Sequence, residues 1–418
     1  MSKEKRIKEK GGRHIIRRII ITIVVVMVLG VVWLFGCSDD EAEQSGASSG
    51  QGSAGGAGTA AEDNIANADS FDSYYLISQM DSDMMDNFLA LYNAVSNFEE
   101  EAVFPHPIAE ENKKDVYALL MAFLYECPEQ FQLDSGEISF FRYKGAEDEI
   151  AGCELTYRMD QTSYDAYMNQ CQGILSTLQK QTGGMSDYDK ELYVYNYLAD
   201  STVYDDTTDF CDSVYGTLIE GRAKCVGISA AFQYLCDGLD LPCVSLTCYG
   251  DEKTFDDGHA WNAINIDGEW YDVDLTADVP REDSEADSCR YYGALNVPRT
   301  WVTDAHSPVT TYFTDYFDVP ESVSFDADYH VVNDEFVAEG EDYAAAYRDG
   351  ISRAYEDGSS AVSLQFESED DYNAFLDQED DISTDWLYHY SSDDVTGLGG
   401  SVYQQPSYRT IVYVPEFE

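Results

Sequence analysis

Gly221-Arg222-Ala223-Lys224-Cys225-Val226-Gly227, followed by Gly258-His259-Ala260-Trp261-Asn262 and by Asp272-Val273-Asp274-Leu275-Thr276, is the part of this sequence whose reading decides the fold. A cysteine, a histidine and an aspartate succeed one another in that order. Together they supply a thiol nucleophile, a base to activate it and a carboxylate to orient the base.

Downstream of Cys225, the residues Val226, Ile228, Ala231, Phe232, Tyr234 and Leu235 recur mostly at helical spacing. Gly227, Ser229, Ala230 and Ala231 are small enough to let that helix pack tightly inside a core, and Gly221 supplies a turn before it. Cys225 is therefore expected at a helix N-terminus, where unpaired N–H groups and the positive dipole end favour a thiolate. Arg222 and Lys224 add positive charge, and an N–H of the same turn would help hold a developing oxyanion. Cys236 and Cys243, set among apolar residues, fit a buried structural thiol instead.

His259 opens an alternating run, and residues 269–276 form a second one across Asp267-Gly268, a hairpin signal. With a two-residue turn, Ile266 faces Glu269, His259 faces Thr276 and Trp261 faces Asp274. Asp274 is then a diagonal neighbour of His259 on the same face, roughly 7–8 Å away by backbone and within side-chain reach. Asp272 shares that face but lies opposite Ala263, a further step off, and is the fallback. A longer turn would change this register.

Gly221-x-x-x-Cys225-x-Gly227, Gly258-His259-Ala260-Trp261-Asn262 and Trp270-Tyr271-x-Val273-Asp274-x-Thr276 together resemble the transglutaminase-like (transglutaminase core) superfamily. Val194-Tyr195-Asn196-Tyr197-Leu198, Tyr204-Asp205 and Val214-Tyr215-Gly216-Thr217-Leu218 resemble the approach to the nucleophile in its bacterial members, and the likeness covers roughly residues 186–280. The resemblance implies a papain-like fold, with a helix carrying Cys225 packed on an antiparallel sheet. It implies Cys225 as nucleophile, His259 as general base and acid, and Asp274 as the orienting carboxylate. Many members carry Pro after the aspartate. Here Leu275 keeps a backbone donor and frees φ, so the strand is expected to run on.

Composition bounds the rest. The chain has 418 residues, enough for two or three domains. Its net charge is −56, yet eight of its 24 Lys and Arg fall in residues 1–18. The acidic remainder should repel nucleic acid and favour cationic partners. The basic start precedes an apolar run over residues 19–35, the pattern of an export signal. Leu34-Phe35-Gly36-Cys37 resembles a lipoprotein signal, with Cys37 as the lipid-bearing residue, and an uncleaved single-span anchor is the alternative. Both place the folded part outside the cell, tethered to a membrane. Eight further cysteines leave buried thiols and one or two bridges equally open. No CxxC or zinc-ligand spacing occurs, and no cofactor or metal is called for.

The expected organisation is a signal or anchor over residues 1–37 and a flexible linker over 38–68. An N-terminal α+β region over 69–185, a catalytic domain over 186–308 and an acidic C-terminal α/β accessory domain over 309–418 follow. The fold class is α+β. The expected function is a cell-surface cysteine enzyme acting on amide bonds of a protein or peptide substrate. A catalytically silent binding or wall-associated module is the alternative.

Overall fold

The computed structural model describes residues 6–8, 66–71, 73–248, 258–281, 289–309, 314–389 and 395–417. The apolar run over residues 19–35 and Cys37 lie outside the described residues. Among the described residues, no helix is long and apolar enough to cross a membrane.

The first sheet is built from β1 (Arg6–Lys8), β2 (Glu101–Ala109), β3 (Ser139–Tyr143) and β4 (Glu149–Glu154), in the order β1-β3-β4-β2. Arg6–Lys8, which the sequence assigns to the export signal, pairs antiparallel with β3. Helix α1 (Ser82–Ser96) is started by Asp81, whose side chain accepts the Met84 N–H at 2.9 Å. Helix α2 (Lys113–Glu126) is buried along nearly its whole length and packs on both α1 and the next sheet. Strand β2 escapes the sequence reading because it contains Pro105 and Pro107. Its ladder to β4 shifts register between Val103 and Ile108, where those donorless residues fall.

The central unit begins with α3 (Gln161–Gln181) and α4 (Asp187–Ser201). Two short parallel strands, β5 (Val203–Tyr204) and β6 (Arg222–Ala223), lead into α5 (Cys225–Asp237). Strands β7 (Cys243–Cys248), β8 (His259–Ile266), β9 (Glu269–Val273) and β10 (Leu295–Val297) make an antiparallel sheet in the order β10-β9-β8-β7. Val194 and Leu198 of α4, Ile228, Phe232 and Leu235 of α5, and Ile264 and Val273 of the sheet are all fully or almost fully buried in one cluster. Met168, Cys171 and Leu178 bring α3 into that same cluster. The fold is therefore α+β, with the Cys225 helix packed on an antiparallel sheet.

The β8–β9 ladder has the register read from Asp267-Gly268. Ile266 pairs with Glu269 and Ala263 with Asp272. One expectation is corrected here. The strand does not run on through Leu275, but ends at Val273 and passes into a 3-10 turn, Leu275–Asp278. The Asp274 N–H is drawn to the Ala294 carbonyl and the Ala277 N–H bonds back to Asp274, so the chain turns under the sheet instead of extending it. Short helix α6 (Arg299–Ala305) follows β10.

The last unit contains α7 (Tyr329–Val332), β11 (Phe336–Val337), α8 (Tyr343–Asp357), β12 (Val362–Phe366), α9 (Glu369–Leu376), α10 (Glu379–His389), β13 (Leu398–Gln405) and β14 (Thr410–Phe417). Its sheet runs β11-β12-β14-β13. Trp386 is buried and donates its indole N–H to Ser352, which makes it a core residue and not part of a binding surface. Cys127, Cys153, Cys171, Cys211, Cys225, Cys236, Cys243 and Cys248 are buried free thiols.

Candidate active site

Helix α5 presents Cys225, Ser229 and Gln233 at steps of four, hence on one face. That face meets β7 and β8, where Ser245 pairs with Asn262. The Ser229 hydroxyl bonds Ser245 at 2.9 Å and the Trp261 carbonyl at 3.0 Å, and Gln233 accepts from the Ser245 N–H and hydroxyl at 3.0 and 2.7 Å. Asn262 donates to the Ser229 carbonyl at 3.1 Å. This buried polar network fixes the helix against the sheet, and so fixes Cys225 against His259 at the start of β8.

No side chain caps the start of α5, which leaves its first turn facing the thiol. Gly227 makes the approach possible, because a Cβ there would sit 2.3 Å from the Cys211 carbonyl oxygen. Cys225 is 8% exposed. Burial by itself would raise its pKa. The hydrogen bond and charge of His259, the Ala260 backbone and Lys224 outweigh burial and hold the thiol below its ordinary value.

His259 Nε2 lies 3.0 Å from Asp274 Oδ2. An ionised carboxylate only accepts, so Nε2 carries a proton and Nδ1 is left for Cys225. Burial disfavours the imidazolium, but the Asp274 charge and hydrogen bond and the Cys225 contact prevail, and His259 titrates well above its usual range. Asp274, 2% exposed at its side chain, is pushed the opposite way. Burial would raise it, and His259 and His306 hold it far below the usual carboxylate range.

The structure thus brings Cys225, His259 and Asp274 together in one chain of hydrogen bonds. Asp272, the fallback, is turned elsewhere. It accepts from Trp261 Nε1 at 2.8 Å and from Arg299 Nε and Nη2 at 3.0 Å each. Two residues in the site carry no sequence motif. His306 Nε2 approaches Asp274 Oδ2 at 3.1 Å, and the Tyr408 hydroxyl donates to the same oxygen at 2.8 Å. Tyr408 thus brings the C-terminal unit into contact with the Asp274 carboxylate.

His259, Asp274 and His306 offer ligand atoms all within 4.8 Å of one another. The two imidazoles stack, however, with centroids 3.7 Å apart and planes 19° from parallel. Both Nε2 atoms converge on the same Asp274 oxygen, at 3.0 and 3.1 Å, as hydrogen-bond partners of the carboxylate. As folded, the group is arranged around a shared carboxylate.

Residues 176–275 match the model of the transglutaminase-like superfamily. No curated protein matches the chain. Among solved structures, the chain is similar to one described as a TGase, with 18% identity and a TM-score of 0.24 over 35% of this chain and 45% of that one. A candidate cysteine protease from Cytophaga hutchinsonii shows 20% identity and a TM-score of 0.23 over 34% of this chain and 59% of its own. The periplasmic domain of TgpA from Pseudomonas aeruginosa bound to ethylmercury shows 11% identity and a TM-score of 0.22 over 35% and 64%. The chain therefore spans less than two thirds of each of these structures.

Proposed function

We propose, from the match of residues 176–275 to the transglutaminase-like superfamily, that the chain is a cysteine enzyme acting on amide bonds of proteins or peptides through a thioester. The observation that carries this reading is the continuous path of hydrogen bonds from Cys225 through His259 to Asp274.

The Cys225 thiolate attacks an amide carbonyl carbon, and the C–O π electrons move to oxygen. The uncapped first turn of α5 supplies N–H groups for that oxyanion. Collapse of the tetrahedral species breaks the C–N bond as His259 gives its proton to the departing nitrogen. Water or an amine, deprotonated by neutral His259, then releases the acyl group from sulfur. Asp274 keeps the imidazole in the tautomer and orientation that both transfers need.

The folded part is proposed to work outside the cell, tethered through Cys37 or through residues 19–35. The basic run before the apolar one supports this. A palmitate probe incorporated by the wild type and not by Cys37→Ala would establish the lipid anchor. Incorporation unchanged in Cys37→Ala would remove it.

A glutamine-containing peptide incubated with the full chain, with and without added amine, tests the reaction. Release of ammonia that disappears in Cys225→Ala and His259→Ala is the expected result, and the acyl product distinguishes transfer from hydrolysis. A wild-type chain that turns over neither glutamine nor peptide bonds leaves the silent binding module in its place.

A further inference from the structure

The Asp274 carboxylate is gripped from two directions that no motif marks. Tyr408 lies in the 3-10 turn Pro406–Tyr408 between β13 and β14, and His306 directly follows α6. We propose that Tyr408 and His306 are positioning residues for the His259–Asp274 pair, which makes the C-terminal sheet a working part of the catalytic centre. This inference rests on the cysteine-enzyme reading above.

The geometry is one-sided. Oδ2 of Asp274 meets His259, His306 and Tyr408 at 3.0, 3.1 and 2.8 Å. Oδ1 is buried with no hydrogen-bond partner among the described residues. Donors crowded on one oxygen fix the rotation of the carboxylate, and with it the direction in which His259 Nε2–H must point. The His306 ring also lies face to face with His259, so the imidazole is restrained in its plane as well as at its edge.

Tyr408 is not there by chance proximity. Gln405, three residues before it, donates to the Ala277 carbonyl in the turn that follows Asp274, at 3.1 Å. Gln365 of β12 donates to Gly293 at 2.8 Å, just before β10. Arg409 lies over the Trp301 ring of α6 at 4.1 Å, with φ 49°, in a left-handed region that non-glycine residues seldom occupy. The C-terminal sheet is thus docked on both sides of the segment that bears Asp274. Burial and the Asp274 charge push the Tyr408 phenol well above its ordinary range, so its hydroxyl remains a donor.

Several other groups face this pair. Cys225 and Lys224 approach from the start of α5 and Cys248 from β7. Asp272 of β9, Asp278 of the following turn and Tyr195 of α4 complete the charged and titratable surroundings. Against that constant background, each donor on Oδ2 withdraws charge from the oxygen that attracts the imidazolium. Removing a donor should therefore tighten His259's hold on its proton.

The test is the rate of Cys225 alkylation by iodoacetamide against pH in the full chain, with Cys225→Ala subtracting the other thiols. The alkaline step of that profile marks loss of the imidazolium proton. Tyr408→Phe keeps the ring and deletes the donor, and should move that step up by about half a pH unit or more. His306→Phe keeps a ring against His259 and should move it in the same direction. A folded Tyr408→Phe with a profile superimposable on the wild type overturns the inference. If Tyr408→Phe does not fold, the His306→Phe profile decides in the same way. A wild-type Cys225 no more reactive than the buried thiols overturns the cysteine-enzyme reading itself, and shows before any variant is made.

Discussion

Asp272 and Asp274 stand two residues apart, both essentially buried, and they meet opposite electrostatic fates. Around Asp272, burial dominates and raises the pKa, against the pull of Arg299, Trp261 and Ser322. Around Asp274, His259 and His306 reverse the effect of burial, and the carboxyl is held far down. Arg299 pairs with Asp272 through two parallel bonds and can offer no proton. The partners of Asp274 include an imidazole that can give one up. Burial does not distinguish a structural carboxylate from a functional one; the chemistry of the partner does.

The strongest way to break this contrast is Asp274→Asn. It removes the charge that supports the imidazolium, and should cut turnover by roughly 10³–10⁴-fold. The check is kcat/KM on the glutamine peptide in a variant whose fold is verified by circular dichroism. A loss under tenfold would return Asp274 to the same class as Asp272.

Asp272→Asn should act on stability instead. It strands a partly buried guanidinium and should cost about 2–3 kcal/mol, read by urea unfolding. The alkylation profile of Cys225 in the remaining folded protein should stay that of the wild type. Replacing the pair together, Asp272→Leu with Arg299→Met, should recover part of that loss, the remainder being the Trp261 indole N–H left without its acceptor. Full additivity of the two single losses would contradict coupling between Asp272 and Arg299.

Glu191 sharpens the comparison as a buried carboxyl with no cationic partner among the described residues. It is fully buried, bonded to Asn296 Nδ2 at 2.7 Å, and burial raises its pKa to about 8. A raised folded pKa gives stability that is complete below the unfolded value near 4.5 and is lost as pH rises through about 8. Glu191→Gln has no such loss. It should be more stable than the wild type by roughly 4 kcal/mol at pH 8 and nearly equal at pH 4, read from thermal melts at the two pH values. An equal difference at both would show that the carboxyl is not neutral in the fold.

Much of the site could be read from local pattern. Small residues behind Cys225 at helical spacing placed it at a helix start, and Asp267-Gly268 set the register that favoured Asp274 over Asp272. Both are short-range effects, decided within a turn of helix or across one hairpin. His306 and Tyr408 are different in kind. His306 sits 32 residues from Asp274 and Tyr408 sits 134 residues from it, and no periodicity encodes either contact. Tyr408 is one of 32 tyrosines, with nothing local to single it out. Strands β2 and β13 are illegible in local pattern for a related reason. Two prolines interrupt the first and Gly399-Gly400 weaken the second, so pairing with neighbours overrides a poor local preference.

The Ser245–Gln233 contact has a consequence beyond the geometry of catalysis. Strand β7 is the last in its sheet, and the backbone groups of an edge strand are a template for pairing with another chain. Gln233 occupies one of those groups, the Ser245 N–H, from the same helix face that carries Cys225. The helix that carries Cys225 is therefore also a guard on that edge. Loosening it, whether by heat or by substitution at the helix–sheet contact, should cost reactivity and solubility together.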